Sequence, residues 1–192
     1  VSLQNHYLLV RHGHSQANEA GIIVSTPTHG CAYYGLSTLG EQQMHKLISD
    51  WYWPTPTLLL HSDYRRTTQT AMYLAQRFHL SMQVDKRLRE RCFGELDGKS
   101  DRHYHDIWTL DAQDAHHQQL GVESVAAVAI RMQMVIEHME ARHCGETIAL
   151  VSHGDPLQIL LTALEDRPLT SHRDRPPLAP ASITEYKETP SH

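Results

Sequence analysis

The chain has 192 residues, 40% hydrophobic and 20% charged, with a formal net charge of −5. That length suits a single domain over 1–192, and the composition excludes a disordered or fibrous chain. The acidic balance argues against a nucleic-acid partner, whose binders usually carry a basic excess.

No segment approaches the eighteen or more apolar residues of a membrane span, and the opening VSLQNHYLLV lacks the pattern of a signal peptide. A cytoplasmic protein with no membrane partner is therefore expected. Cys31, Cys92 and Cys144 are odd in number and scattered, which fits free thiols better than a disulfide framework or a closed zinc site.

Tyr7 to Val10 reads as a buried strand that delivers Arg11 at its end. A short helix is expected from Gln16 to Ala20. TLGEQQMHKLISDW follows as a second helix, stopped by the prolines of WPTPT. TLLLHS is a second buried strand, followed by the amphipathic helix RRTTQTAMYLAQRF, and MQVDKRL a short third strand leading into the loop RERCFGELDGKS. The polar, histidine-rich stretch from Asp101 to Gln119 predicts a helix with a mobile neighbour.

ESVAAVAIRMQMVIEHMEARH has the longest helical pattern, with Gly145 near its stop. TIALVSHGDPLQILLTAL gives a strand over Thr147 to Val151, a polar turn and a helix. RPLTSHRDRPPLAP is a proline-rich connection, and ASITEY a last strand. Strands alternating with helices predict an α/β fold, with three layers and a mostly parallel central sheet.

Three strand ends carry reactive residue types: RHGHS, HSDYRR and SHGD. Parallel strands bring their carboxyl ends to one edge, so Arg11, His12, Arg66 and His153 can converge. Guanidinium forks bind phosphoryl oxygens in pairs, and a neutral imidazole can attack phosphorus. Gly13 and Gly154 would let backbone approach a ligand closely.

These residues resemble the histidine phosphatase superfamily, the phosphoglycerate mutase-like family, along almost the whole chain. LLVRHGHSQAN matches R-H-G-x-S-x-x-N, and LSTLGEQQ, HSDYRRTTQTA, LRERCFGELDG, GVESVAAVAIR and LVSHGD follow the family's further motifs in order. The resemblance implies a phosphoglycerate mutase-like fold. It makes His12 the nucleophile of a phosphohistidine intermediate and Glu90 the proton donor. Arg11, Arg66 and His153 would hold phosphoryl oxygens, with Ser15 and Asn18 as further donors.

No cofactor is implied and no metal is needed, since arginines supply the positive charge. Adjacent Arg65 and Arg66 both offer a guanidinium, and motif spacing selects Arg66. His14 and His61 either touch the substrate or face solvent, Leu96 replaces a usual aromatic, and Asn18 has a rival role as a helix cap. His103, His105, His116 and His117 raise a metal reading, but lack cysteine or carboxylate partners at zinc spacing.

The function expected is hydrolysis of a small phosphorylated metabolite. Alternatives are mutase-type transfer, a phosphoprotein phosphatase and a catalytically silent binding protein. Arg102 is the only basic residue other than histidine between 102 and 120, which disfavours a second phosphate on the substrate. The sequence carries no pattern for the substrate's identity or the oligomeric state.

Overall fold

The computed structural model describes residues 2–188. Its elements are β1 (His6–Arg11), α1 (Gln16–Ala20), α2 (Pro27–Gly30), α3 (Thr38–Ser49), β2 (Leu58–His61), α4 (Arg65–Phe78), β3 (Met82–Val84), α5 (Tyr104–Asp111), α6 (Val125–Arg142), β4 (Thr147–Ser152), α7 (Gly154–Leu164) and β5 (Ile183–Tyr186). The five strands form one sheet in the order β3-β2-β4-β1-β5. β5 is antiparallel to β1, and the other pairings are parallel.

The two-residue period of the strands sorts the core into two layers. Tyr7, Leu9, Leu60, Ile148 and Leu150 face one side, where α6 and α7 supply Val128, Met132, Val135, Ile136, Leu157 and Leu160. Leu8, Val10, Leu59, Ala149 and Val151 face the other, against Met44 and Leu47 of α3 and Ala71 and Leu74 of α4. Near-continuous apolar strands are what a sheet covered on both faces demands.

β1 pairs with β4 in a register that sets Arg11 opposite Ser152, while His61 of β2 pairs with Val151. The next amides extend the ladder: His12 donates to the Ser152 carbonyl and Ser62 to that of Val151. Three separate chain segments thus leave the sheet side by side.

Four sequence expectations need correction. The third strand ends at Val84, because the Asp85 side chain accepts from the Arg87 amide and turns the chain into a 3-10 turn at Lys86–Leu88. α2 was not foreseen; it opens on Pro27, whose missing N–H costs nothing in a first helical turn. RPLTSHRDRPPLAP is more than a connection, since it forms a 3-10 turn at Leu169–Ser171 and buries His172 completely.

Finally, α6 with its lead-in is long and apolar enough by length and composition to cross a membrane, which was denied of every segment. Its Val125, Val128, Met132, Val135, Ile136 and Met139 are packed in the core, and that accounts for its apolar character.

Candidate active site

The end of β1 carries His12, 3% exposed. Its Nδ1 lies 2.7 Å from the Gly13 carbonyl, which can only accept, so Nδ1 bears the proton. In the neutral ring Nε2 then has a free lone pair. Burial first, then the charges of Arg66 and Arg11, holds the imidazole well below its ordinary pKa and keeps it neutral.

The loop after β1 is held by backbone contact. A Cβ on Gly40 would sit 2.0 Å from the His14 carbonyl, and one on Gly13 would meet Gly40 and Leu36 at 3.1 and 3.2 Å. Gly154 gives way to a side chain: a Cβ there would lie 3.2 Å from Arg11 Nε. Gly13 and Gly154 thus both permit close approach within the protein, and Gly154 also lines the cavity described below.

Arg66 comes from the first turn of α4 and is 4% exposed, whereas Arg65 is exposed and reaches the Ala32 carbonyl. Arg66 donates through Nε to His153 Nδ1 at 3.3 Å and through NH2 to the Val24 carbonyl at 2.8 Å. Its NH1, like Nε of Arg11, is buried without a partner among the described residues. Arg11 is otherwise tied by NH1 to the Leu178 carbonyl. Shielded, unpaired guanidinium donors are costly unless an oxyanion completes them.

His153 lies behind this pair. Its Nδ1 accepts from Arg66, so Nε2 carries the proton and donates to Ser62 Oγ at 2.9 Å. Its ring centroid is 5.1 Å from that of His12. With both nitrogens occupied and no surface on the cavity, it holds Arg66 in this structure and does not present a free donor, which departs from its expected contact with phosphoryl oxygens. Ser15 lines the cavity, but its donors are spent: its hydroxyl and amide both reach Asn18 Oδ1 and its Oγ accepts from the Asn18 amide, a capping box that starts α1. Asn18 caps α1 and also lines the cavity, with its amide NH2 still free among the described residues.

Glu90 is brought in by the loop after Leu88, its side chain 10% exposed. Oε1 accepts from the Arg91 amide at 2.9 Å, while Oε2 lies 3.6 Å from Arg66 NH2 and 4.0 Å from His153 Nδ1. Burial raises its pKa to about 7 against the pull of Arg66 and Arg11, and Asp155 adds to the rise. The protonated acid is therefore within reach near neutral pH.

Sequence reasoning missed what fixes this loop. Arg91, fully buried, binds both oxygens of Asp111 at 2.7 and 2.8 Å, Asp155 at 3.1 Å and the Glu123 carbonyl at 2.7 Å. From the GVES motif, Glu123 accepts from the Cys92 amide and pairs with Arg131, which in turn donates to the carbonyls of Arg87, Arg89 and Glu90. Glu123, just before the N-cap of α6, and Arg131, within it, are the acidic and basic positions of GVESVAAVAIR, and that was the available signal. His61 is buried with Nδ1 on its neighbour's carbonyl, and His14 bonds Ser37. Neither lines the cavity. Leu96 packs with Ile23, Phe93, Ile107 and Val122.

Arg11, His12, Arg66 and Glu90 line one cavity of about 250 Å³, bounded further by Asn18, Tyr104, Trp108 and Arg173. The histidine-rich segment does not gather: His103 meets Asp106, and His117, whose Nδ1 accepts from the Gln119 amide, donates through Nε2 to Asp111 at 2.6 Å. Among the described residues no group of three or more His, Cys, Asp or Glu side chains is placed to hold a metal ion.

Comparison with known proteins points to one family. Residues 7–192 match the model of the histidine phosphatase superfamily (branch 1). A Hydrogenobacter thermophilus protein named as a candidate phosphoserine phosphatase is 27% identical over 81% of this chain and 76% of its own. A probable phosphoglycerate mutase of Yersinia enterocolitica is 30% identical over 95% and 85%. The structure of a mycobacterial glucosyl-3-phosphoglycerate phosphatase with VO3 superposes with a TM-score of 0.81 at 26% identity, covering 94% of this chain and 91% of the other.

Proposed function

The chain belongs to the histidine phosphatase superfamily, and from that premise we propose that it hydrolyses a small phosphomonoester through a phosphohistidine on His12. The observation that carries the reading is the pairing, across one cavity, of an imidazole kept neutral with Nε2 free and a carboxyl poised near neutrality. Arg11 and Arg66 supply N–H donors for the phosphoryl oxygens.

In the first step the Nε2 lone pair forms the N–P bond while the P–O ester bond breaks. The departing oxygen takes the Glu90 proton and leaves as an alcohol. Positive charge that develops on the ring is met by the Nδ1–H bond to the Gly13 carbonyl. Glu90, now a carboxylate, accepts a proton from water as that water attacks phosphorus, which releases phosphate and restores His12 and the protonated acid. Asp155 would not compete for these protons, because burial, which alone would raise its pKa, is overcome by His172, Arg91 and Arg173.

A cavity of about 250 Å³, lined on its outer side by Trp108 and Arg173, favours a small metabolite over a side chain of a folded phosphoprotein. The mutase reading keeps the same first step and differs in the acceptor. The test is phosphate release from a panel of phosphomonoesters in EDTA, by wild type and His12→Ala. Release that depends on His12 supports hydrolysis; isomerised ester without release would move the assignment to a mutase.

A further inference from the structure

The proline-rich segment after α7 returns to the site and places a third arginine, Arg173, on the cavity wall. Its guanidinium is held on two sides. NH1 donates to Asp155 Oδ1 at 3.3 Å and to Gln158 Oε1 at 3.0 Å, and its Cζ lies 3.6 Å from the centre of the Trp108 ring. Trp108 is in turn stacked on Tyr104 with 8° between the planes.

Nε and NH2 make no hydrogen bond among the described residues, and neither is shut away from solvent: the side chain is 21% exposed. That edge of a guanidinium is the one that matches both oxygens of an oxyanion. Its orientation is fixed in advance by Asp155, Gln158 and Trp108, so little side-chain entropy is lost on binding.

Nearby charge leaves the edge available. Asp155 shares its carboxylate among Arg91, His172 and Arg173 and engages only NH1 of Arg173, which leaves the Nε and NH2 edge without a protein anion on it among the described residues. Asp101, also on the wall, is exposed at the rim. The catalytic groups do not need Arg173: Arg11, Arg66, His12 and Glu90 make no hydrogen bond to it.

We propose that Arg173 is a specificity-determining residue that binds a second oxyanion, on the alcohol portion of the substrate, so that the preferred substrate is a short phosphomonoester with a negative charge at each end. This rests on the phosphatase reading for the phosphoryl end alone. It also runs against the expectation that a second phosphate on the substrate is disfavoured. That expectation considered only the segment between 102 and 120, whereas the cation arrives from the far end of the chain.

The test separates the two readings by using ligands that cannot be hydrolysed. Calorimetric titration with 2-carboxyethylphosphonate and with propylphosphonate, which match in length and differ in the terminal charge, gives an affinity ratio for each protein. Wild type is expected to favour the charged ligand at least tenfold, Arg173→Gln to bring the ratio to about one, and Arg173→Lys, which keeps charge without the fork, to fall between. Ethane-1,2-diphosphonate in a third arm tells a carboxylate from a second phosphate. A wild-type ratio near one, or an equal ratio in Arg173→Gln and Arg173→Lys and wild type, overturns the proposal. Should Arg173→Gln fail to fold, the Arg173→Lys ratio decides. Loss of phosphatase activity on every ester, with the binding ratio intact, would instead sink the hydrolytic reading.

Discussion

Replacing Glu90 by glutamine should make the protein more stable at alkaline pH while it removes the proton donor. Burial moves the carboxyl from its ordinary 4.5 to about 7, so ionising it costs the folded state more than the unfolded one. Stability tied to this group is fully present below pH 4.5 and is lost as pH rises through about 7. At pH 8 the cost is about 3 kcal/mol, and at pH 4 only about 0.2 kcal/mol. Glutamine never ionises, yet its oxygen can still accept from the Arg91 amide.

Calorimetric melting across pH 4 to 8 checks this. The variant should melt roughly 6–12 °C above wild type at pH 8 and level with it at pH 4, for a chain of this size. A shift of the same size at both pH values, or a variant less stable at pH 8, would show that Glu90 is not held neutral by burial. The same variant should lose far more rate on alkyl phosphates than on p-nitrophenyl phosphate, whose leaving group needs no proton.

Other consequences follow from the same geometry. With Glu90 required in its protonated form, kcat/KM should fall as pH rises above about 7, while neutral His12 imposes no loss down to well below its ordinary range; a profile that rises through pH 8 would contradict both assignments. Gly40→Ala should destabilise by about 2 kcal/mol or more in urea unfolding, although alanine is the better helix former by about 1 kcal/mol, because its Cβ has no room against the His14 carbonyl. Arg91→Met should cost about 3–5 kcal/mol, since it leaves the buried Asp111 without its bidentate guanidinium partner and takes one of three partners from Asp155. Arg131→Ala should lower kcat more than it raises KM, because it frees the backbone on both sides of Glu90 without touching the phosphoryl pocket.

Much of this protein follows from local pattern. The apolar strands, the helical faces of α3, α4 and α6, and the alternation of strand and helix are periodicities of neighbouring residues, and they are enough to imply a layered sheet with one reactive edge. Arg11, His12 and Arg66 were legible for the same reason, each at the end of a strand or within a few residues of one. Glu90 was legible only through its motif, since nothing local tells a buried carboxyl from a solvated one.

What tertiary structure decided is the layer behind the site and its outer wall. Arg91 meets Asp111 and Asp155 across 20 and 64 positions, and Arg173 returns to Asp155 from a segment with no periodicity at all. Partners of this kind are chosen by where the folded chain happens to bury a charge, and no pattern in either segment announces it. The capping box that spends Ser15, and the contacts that turn His153 towards Arg66, are likewise settled by which donor finds which acceptor once water has been excluded. Sequence fixes which groups reach the edge of the sheet, whereas burial and the competition for hydrogen-bond partners fix which of them remain free to act.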